Sequence, residues 1–100
     1  MTIRHTVLVR FSRETDVPAV FAALKALQQS IPGILAISAG ADVSPEGLQR
    51  GHTHGFTVDF RDAAARDAYL PHPEHQKVGA MIVAAAVGGL EGVTVLDWEM

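Results

Sequence analysis

Ile3-Arg4-His5-Thr6-Val7-Leu8-Val9-Arg10-Phe11 alternates residue by residue. Ile3, His5, Val7, Val9 and Phe11 share one face, and Arg4, Thr6, Leu8 and Arg10 the other, which is the two-residue period of a strand. The apolar row predicts a strand covered on that side, with a histidine set among aliphatic residues. The pattern recurs from Thr53 to Phe60, where His54, Phe56, Val58 and Phe60 oppose Gly55, Thr57 and Asp59. Two strands with matching faces therefore point the same kind of side chain at the same kind of cover.

The segments between them supply that cover. Thr15 and Asp16 are cap-type residues and Pro18 suits a first turn. Val17, Val20, Phe21, Leu24, Leu27 and Ile31 then follow at helical spacing, predicting a helix that ends near Ser30. Pro32-Gly33 makes a turn into a second strand, Ile34 to Ala41, and Asp42 to Gly51 reads as loop. After the Phe60 strand, Asp62 caps a short alanine-rich helix reaching Tyr69 and Leu70, and Pro71 stops it. His72-Pro73 restarts the chain into a stripe of His75, Val78, Ile82 and Ala85, which Gly88-Gly89 is expected to end. A last strand runs from Gly92 to Trp98, with Val93, Val95 and Asp97 opposing Thr94, Leu96 and Trp98.

The order β-α-β-β-α-β, with its second helical region broken in two, fits one α+β domain over residues 1–100. Right-handed crossovers then place the helices on one face of a four-stranded antiparallel sheet, the ferredoxin-like arrangement. The other face carries Leu8, Leu96 and Trp98 among Thr6, Thr57, Thr94 and Gly55, too apolar to be left in water. A second copy packed sheet to sheet would cover it, and a chain of 100 residues gains from such a partner. The expected assembly is a homodimer through the sheet faces.

Composition narrows the function. A net charge of −3 with eight scattered Lys and Arg offers no basic stripe for nucleic acid. The absence of cysteine excludes thiolate chemistry and disulfides and fits a reducing, cytoplasmic setting. The longest apolar stretch, near Met81 to Val87, is too short to span a bilayer, so no membrane partner is expected. Nothing resembles a phosphate loop or a Gly-x-Ser-x-Gly elbow.

Five histidines are the main chemical clue. His5 and His54 project from paired strands, while Tyr69, His72 and His75 flank the helix break above them. Phe56 and Val78 would add apolar wall. The expected site is a His/Tyr-lined pocket for a small, mostly apolar molecule. In the alternative, it is a cofactor-free cyclase or lyase site, with His75 as general base and Tyr69 as oxyanion donor. Each residue also has a plainer reading: His5 and His54 as core histidines bonded to backbone, His72 as a helix cap, and Tyr69 as a wedge. His72-x-x-His75 has spacing for two metal ligands, but the pattern places no carboxylate beside them except Glu74, which points away from the His75 stripe. No metal and no organic cofactor is expected.

Ile3-Arg4-His5-Thr6-Val7, Ile31-Pro32-Gly33-Ile34, Gly51-His52-Thr53-His54-Gly55-Phe56, Tyr69-Leu70-Pro71-His72-Pro73-Glu74-His75 and Val95-Leu96-Asp97-Trp98-Glu99 resemble the stress-responsive dimeric α/β-barrel (Dabb) family. The resemblance spans almost the whole chain, and Tyr-x-x-His-Pro-x-His is its most specific piece. It implies a ferredoxin-like subunit whose sheet closes with a second subunit into a barrel. One plant branch, olivetolic acid cyclase, closes a polyketide by an aldol step. The similarity implies catalytic roles for Tyr69 and His75, with His5, His54 and His72 lining the pocket. Pro71, Gly79, Gly88 and Gly89 depart from that enzyme's bulkier helix, which implies a different pocket size and substrate.

Overall fold

A computed structural model describes all 100 residues. The elements are β1 (Ile3–Val9), α1 (Val17–Ser30), β2 (Ile34–Ala41), β3 (His54–Phe60), α2 (Ala63–Tyr69), α3 (Pro73–Ala85) and β4 (Val93–Glu99), with a 3-10 turn at Gly89–Gly92. The strands form one antiparallel sheet in the order β2-β3-β1-β4. This is the ferredoxin-like arrangement expected from the element order.

The three α-helices begin where the caps stand. Asp16 accepts from the Ala19 N–H at 3.1 Å, and Asp62 from the Ala65 N–H at 2.8 Å. The His72 Nδ1 accepts from the Glu74 N–H at 3.1 Å. Each bond satisfies an amide that a helix start leaves without an internal partner.

The core lies between the sheet and the helices. Ile3, Val7 and Val9 of β1 and Phe56, Val58 and Phe60 of β3 meet Val20, Leu24 and Leu27 of α1 and Val78 and Ile82 of α3. Gly33 is required at the entry to β2. Its φ is +90°, and a Cβ there would lie 2.6 Å from the Ala65 Cβ, so only glycine lets α2 pass so closely.

One helix end differs from expectation. α3 stops at Ala85, before Gly88-Gly89, because the chain leaves it to bridge β1's extension: Phe11 pairs with Ala86, and the Val87 N–H donates to the Arg10 carbonyl at 2.8 Å. Gly88 and Gly89, at φ 77° and 64°, instead turn the chain into β4.

The opposite sheet face is open in a single subunit. Leu8, Leu96 and Trp98 are 39%, 63% and 43% exposed there, and the Thr6 hydroxyl is buried without a hydrogen-bond partner. That face is less devoid of charge than its apolar residues imply, because Arg4 grips Asp59 through two bonds of 2.8 and 3.0 Å. No helix is long and apolar enough to cross a membrane.

Candidate functional site

The break between α2 and α3 builds the site. Pro71 has no N–H to continue the ladder, so the carbonyls at the end of α2 need other partners. The His72 N–H takes the Tyr69 carbonyl at 3.0 Å. The His75 Nδ1, one turn into α3, takes the Leu70 carbonyl at 2.9 Å. A carbonyl can only accept, so Nδ1 carries the proton and the neutral ring keeps its lone pair on Nε2.

That nitrogen borders a cleft of about 200 Å³ between α3 and the inner face of β1 and β4. His5 and His75 are its polar residues; Val7, Phe56, Ile82, Val93 and Val95 form most of the apolar wall. Gly79 lies one turn beyond His75, and a Cβ there would sit 4.0 Å from Nε2. Burial lowers the His75 pKa from its ordinary value near 6.5, and the charges His5 and His72 would carry push it the same way; the Leu70 bond acts in the opposite sense. The ring is thus held neutral.

Tyr69 stands behind this imidazole. Their ring centroids are 4.0 Å apart, and the Phe60 ring closes the other side at 4.9 Å. Tyr69 is only 1% exposed and is not among the cleft-lining residues. Burial raises its pKa well above the usual phenol value, keeping the hydroxyl protonated.

The remaining histidines divide. His5 is 6% exposed and its Nδ1 lies 2.7 Å from Asp97 Oδ1. Asp97 Oδ2 in turn accepts from Arg66 at 2.9 Å. The expectation that only Glu74 would stand near the cluster therefore fails, because strand pairing sets His5 directly opposite Asp97. Asp97's place on the inner face was visible in its alternation with Val93 and Val95, which was the available signal. Arg66 gave none.

His54 is not brought to the cleft. It pairs with Val9, four positions along β1 from His5, a separation of roughly 13 Å at strand rise. There it packs on Phe11 and Phe21 and lines a different hollow, of about 390 Å³, between the loop of residues 42–53 and the outer sheet face. His72 serves as the α3 cap, and Val78 is buried in the core behind the cleft wall. The Nδ1 atoms of His72 and His75 are thus committed to different backbone groups, and no set of three His, Cys, Asp or Glu side chains is grouped to hold a metal ion.

The family profile of the stress responsive A/B barrel domain matches residues 3–100. The chain belongs to that family. Two stress-response A/B barrel domain-containing proteins of Arabidopsis thaliana are similar to this domain. One is 27% identical over 98 residues, 97% of this chain and 85% of the relative; the other is 28% identical over 100 residues, 97% and 88%. A dimeric ferredoxin-like protein of unknown function from Jannaschia sp. is 31% identical and superposes with a TM-score of 0.90 over the whole of both chains. A hydroxynitrile lyase from Passiflora edulis shares the fold at 21% identity, with a TM-score of 0.86 over 99% of this chain and 93% of that one.

Proposed function

We propose that this A/B barrel domain binds a small, mostly apolar molecule in the cleft between α3 and β4 and holds its polar end at His75 Nε2. The observation that carries this is the His75 to Leu70 bond, which leaves an unprotonated nitrogen on a histidine that lines an apolar hollow. A pocket with apolar walls and a few oriented polar groups is the usual form of a small-molecule site. Its 200 Å³ falls below the roughly 300–1,000 Å³ of drug-sized sites, which favours a ligand about the size of one ring with a short chain. 4-Propylphenol is a suitable probe, its hydroxyl donating to Nε2. His75→Ala should weaken its binding about tenfold; equal affinity in wild type and His75→Ala refutes the assignment.

The close contact of neutral Tyr69 with neutral His75 favours a second, catalytic reading of the same cleft. His75 Nε2 removes a proton from carbon beside a carbonyl, and the C–H electron pair becomes the enolate double bond. The Tyr69 hydroxyl donates to the oxyanion. Tyr69 is only 1% exposed, so that contact requires a local opening of the α2–α3 junction. The reaction class is enolisation, with aldol-type closure when a second carbonyl lies within reach. His75→Ala should slow α-deuterium exchange of acetophenone on the order of a hundredfold. Exchange in wild type no faster than in buffer would leave binding as the function.

The same reading joins two copies through their outer faces. Exposed Leu96, Leu8 and Trp98 and the unpartnered Thr6 hydroxyl support it, since a self-complementary patch closes as a twofold dimer. The larger hollow beside His54 opens on that side, so a second copy would close part of it.

A further inference from the structure

We infer that Asp97, pinned by Arg66, fixes the tautomer of His5 and so presents a second histidine nitrogen to the cleft, making both residues positioning elements of the site. This rests on the cleft being the binding site, but the tautomer itself is testable without a ligand.

His5 lines the cleft, whereas Asp97 and Arg66 do not, so whatever they contribute passes through the imidazole. An ionised carboxylate only accepts hydrogen bonds. At 2.7 Å from Asp97 Oδ1, the His5 Nδ1 therefore carries the proton, and Nε2 is the nitrogen left for a ligand. The carboxylate also offsets positive charge on the ring when Nε2 takes a proton, as in an aspartate-backed histidine base. Asp97 is itself held, because its second oxygen accepts from Arg66 at 2.9 Å. Arg66 reaches it from α2, the helix that also carries Tyr69, so one ion pair links the α2–α3 junction to β4.

The groups facing His5 come from four elements. Asp97 comes from β4, and the Phe60 ring from β3 at 6.3 Å. Tyr69 stands on α2 at 6.0 Å, and His75 of α3 shares the cleft. Asp97 is the only carboxylate among them. His75 is backed by a neutral carbonyl and His5 by a carboxylate, so the two rings respond differently to a proton. Burial holds His75 neutral.

The Arg66 bond also dictates what Asp97→Asn would do. The guanidinium donates, so the amide must keep its oxygen toward Arg66 and turn its NH2 toward His5. The His5 Nδ1 would then have to accept, moving the proton to Nε2 and abolishing the acceptor in the cleft. Nitrogen-15 spectra of the full chain at alkaline pH read this directly. Wild type should show His5 protonated at Nδ1, and Asp97→Asn should show it protonated at Nε2. Arg66→Met combined with Asp97→Asn should return a mixture of the two tautomers, since the amide is freed to rotate. A merely structural ion pair would leave the tautomer unmoved in every variant. Wild-type His5 protonated at Nε2, or the same tautomer in wild type and Asp97→Asn, overturns the proposal. Should Asp97→Asn not fold, the wild-type spectrum still decides. Failure of 4-propylphenol to distinguish wild type from His75→Ala, with the tautomer inverted as expected, would sink the cleft assignment and leave the positioning of His5 standing.

Discussion

The Tyr69 and His75 rings lie 4.0 Å apart between centroids and are tilted by 34°, so that the one aromatic of α2 forms the backing of the first-turn histidine of α3. The contact crosses the Pro71 break and makes the position of His75 depend on the packing of Tyr69. Tyr69→Phe keeps the ring and should keep the fold. Tyr69→Ala opens a cavity beside Phe60 and should cost about 3–5 kcal/mol in urea unfolding, a loss typical of large aromatic truncations.

The neutral state of His75 has a consequence for pH. Its folded pKa is lowered by burial, so below about 6.5 the unfolded chain takes up a proton that the folded ring refuses. The stability associated with this group is present above that pH and is lost as pH falls through the folded value. Denaturation curves collected across that range should show the slope in wild type and a flatter one in His75→Gln. An equal slope in both proteins would place the coupling elsewhere.

Gly79 separates stability from access. It sits inside α3, where glycine costs about 1 kcal/mol relative to alanine, and a Cβ would meet His75 Nε2 only at an ordinary 4.0 Å. Gly79→Ala should therefore raise stability by up to about 1 kcal/mol. Gly79→Leu should leave the domain folded and fill the cleft, weakening 4-propylphenol binding by tenfold or more. Circular dichroism and a binding titration of the two variants distinguish the effects.

Leu96 is 63% exposed on the outer sheet face, beside Thr6 in the β1–β4 pairing. A charge at that point would be desolvated against a second copy, so Leu96→Glu should convert a dimer to a monomer in sedimentation equilibrium. A wild-type protein that sediments as a monomer at micromolar concentration contradicts the paired arrangement.

What could be read in the sequence follows the range of the forces involved. Asp16, Asp62 and His72 cap helices through bonds to residues two or three positions away, and Ile3 to Val9 alternates within itself, so local spacing located all four features. The end of α3 is not legible in local spacing because Ala86 is held by Phe11, a partner 75 positions earlier. His54 and His5 both stand in apolar rows, yet antiparallel register sets His54 opposite Val9, four positions along β1 from His5. Asp97 and Arg66 entered only with the sheet order, since the ion pairs joining them to each other and to His5 cross 31 and 92 positions of chain.

The central claim is that His75 Nε2 receives the polar end of a small apolar ligand. A crystal structure of the domain soaked with 4-propylphenol tests it most directly. The account predicts the hydroxyl within hydrogen-bonding distance of His75 Nε2, with the propyl chain against Val93, Val95 and Ile82. A probe bound only in the hollow beside His54 and Leu48, with the α3–β4 cleft empty, would contradict it.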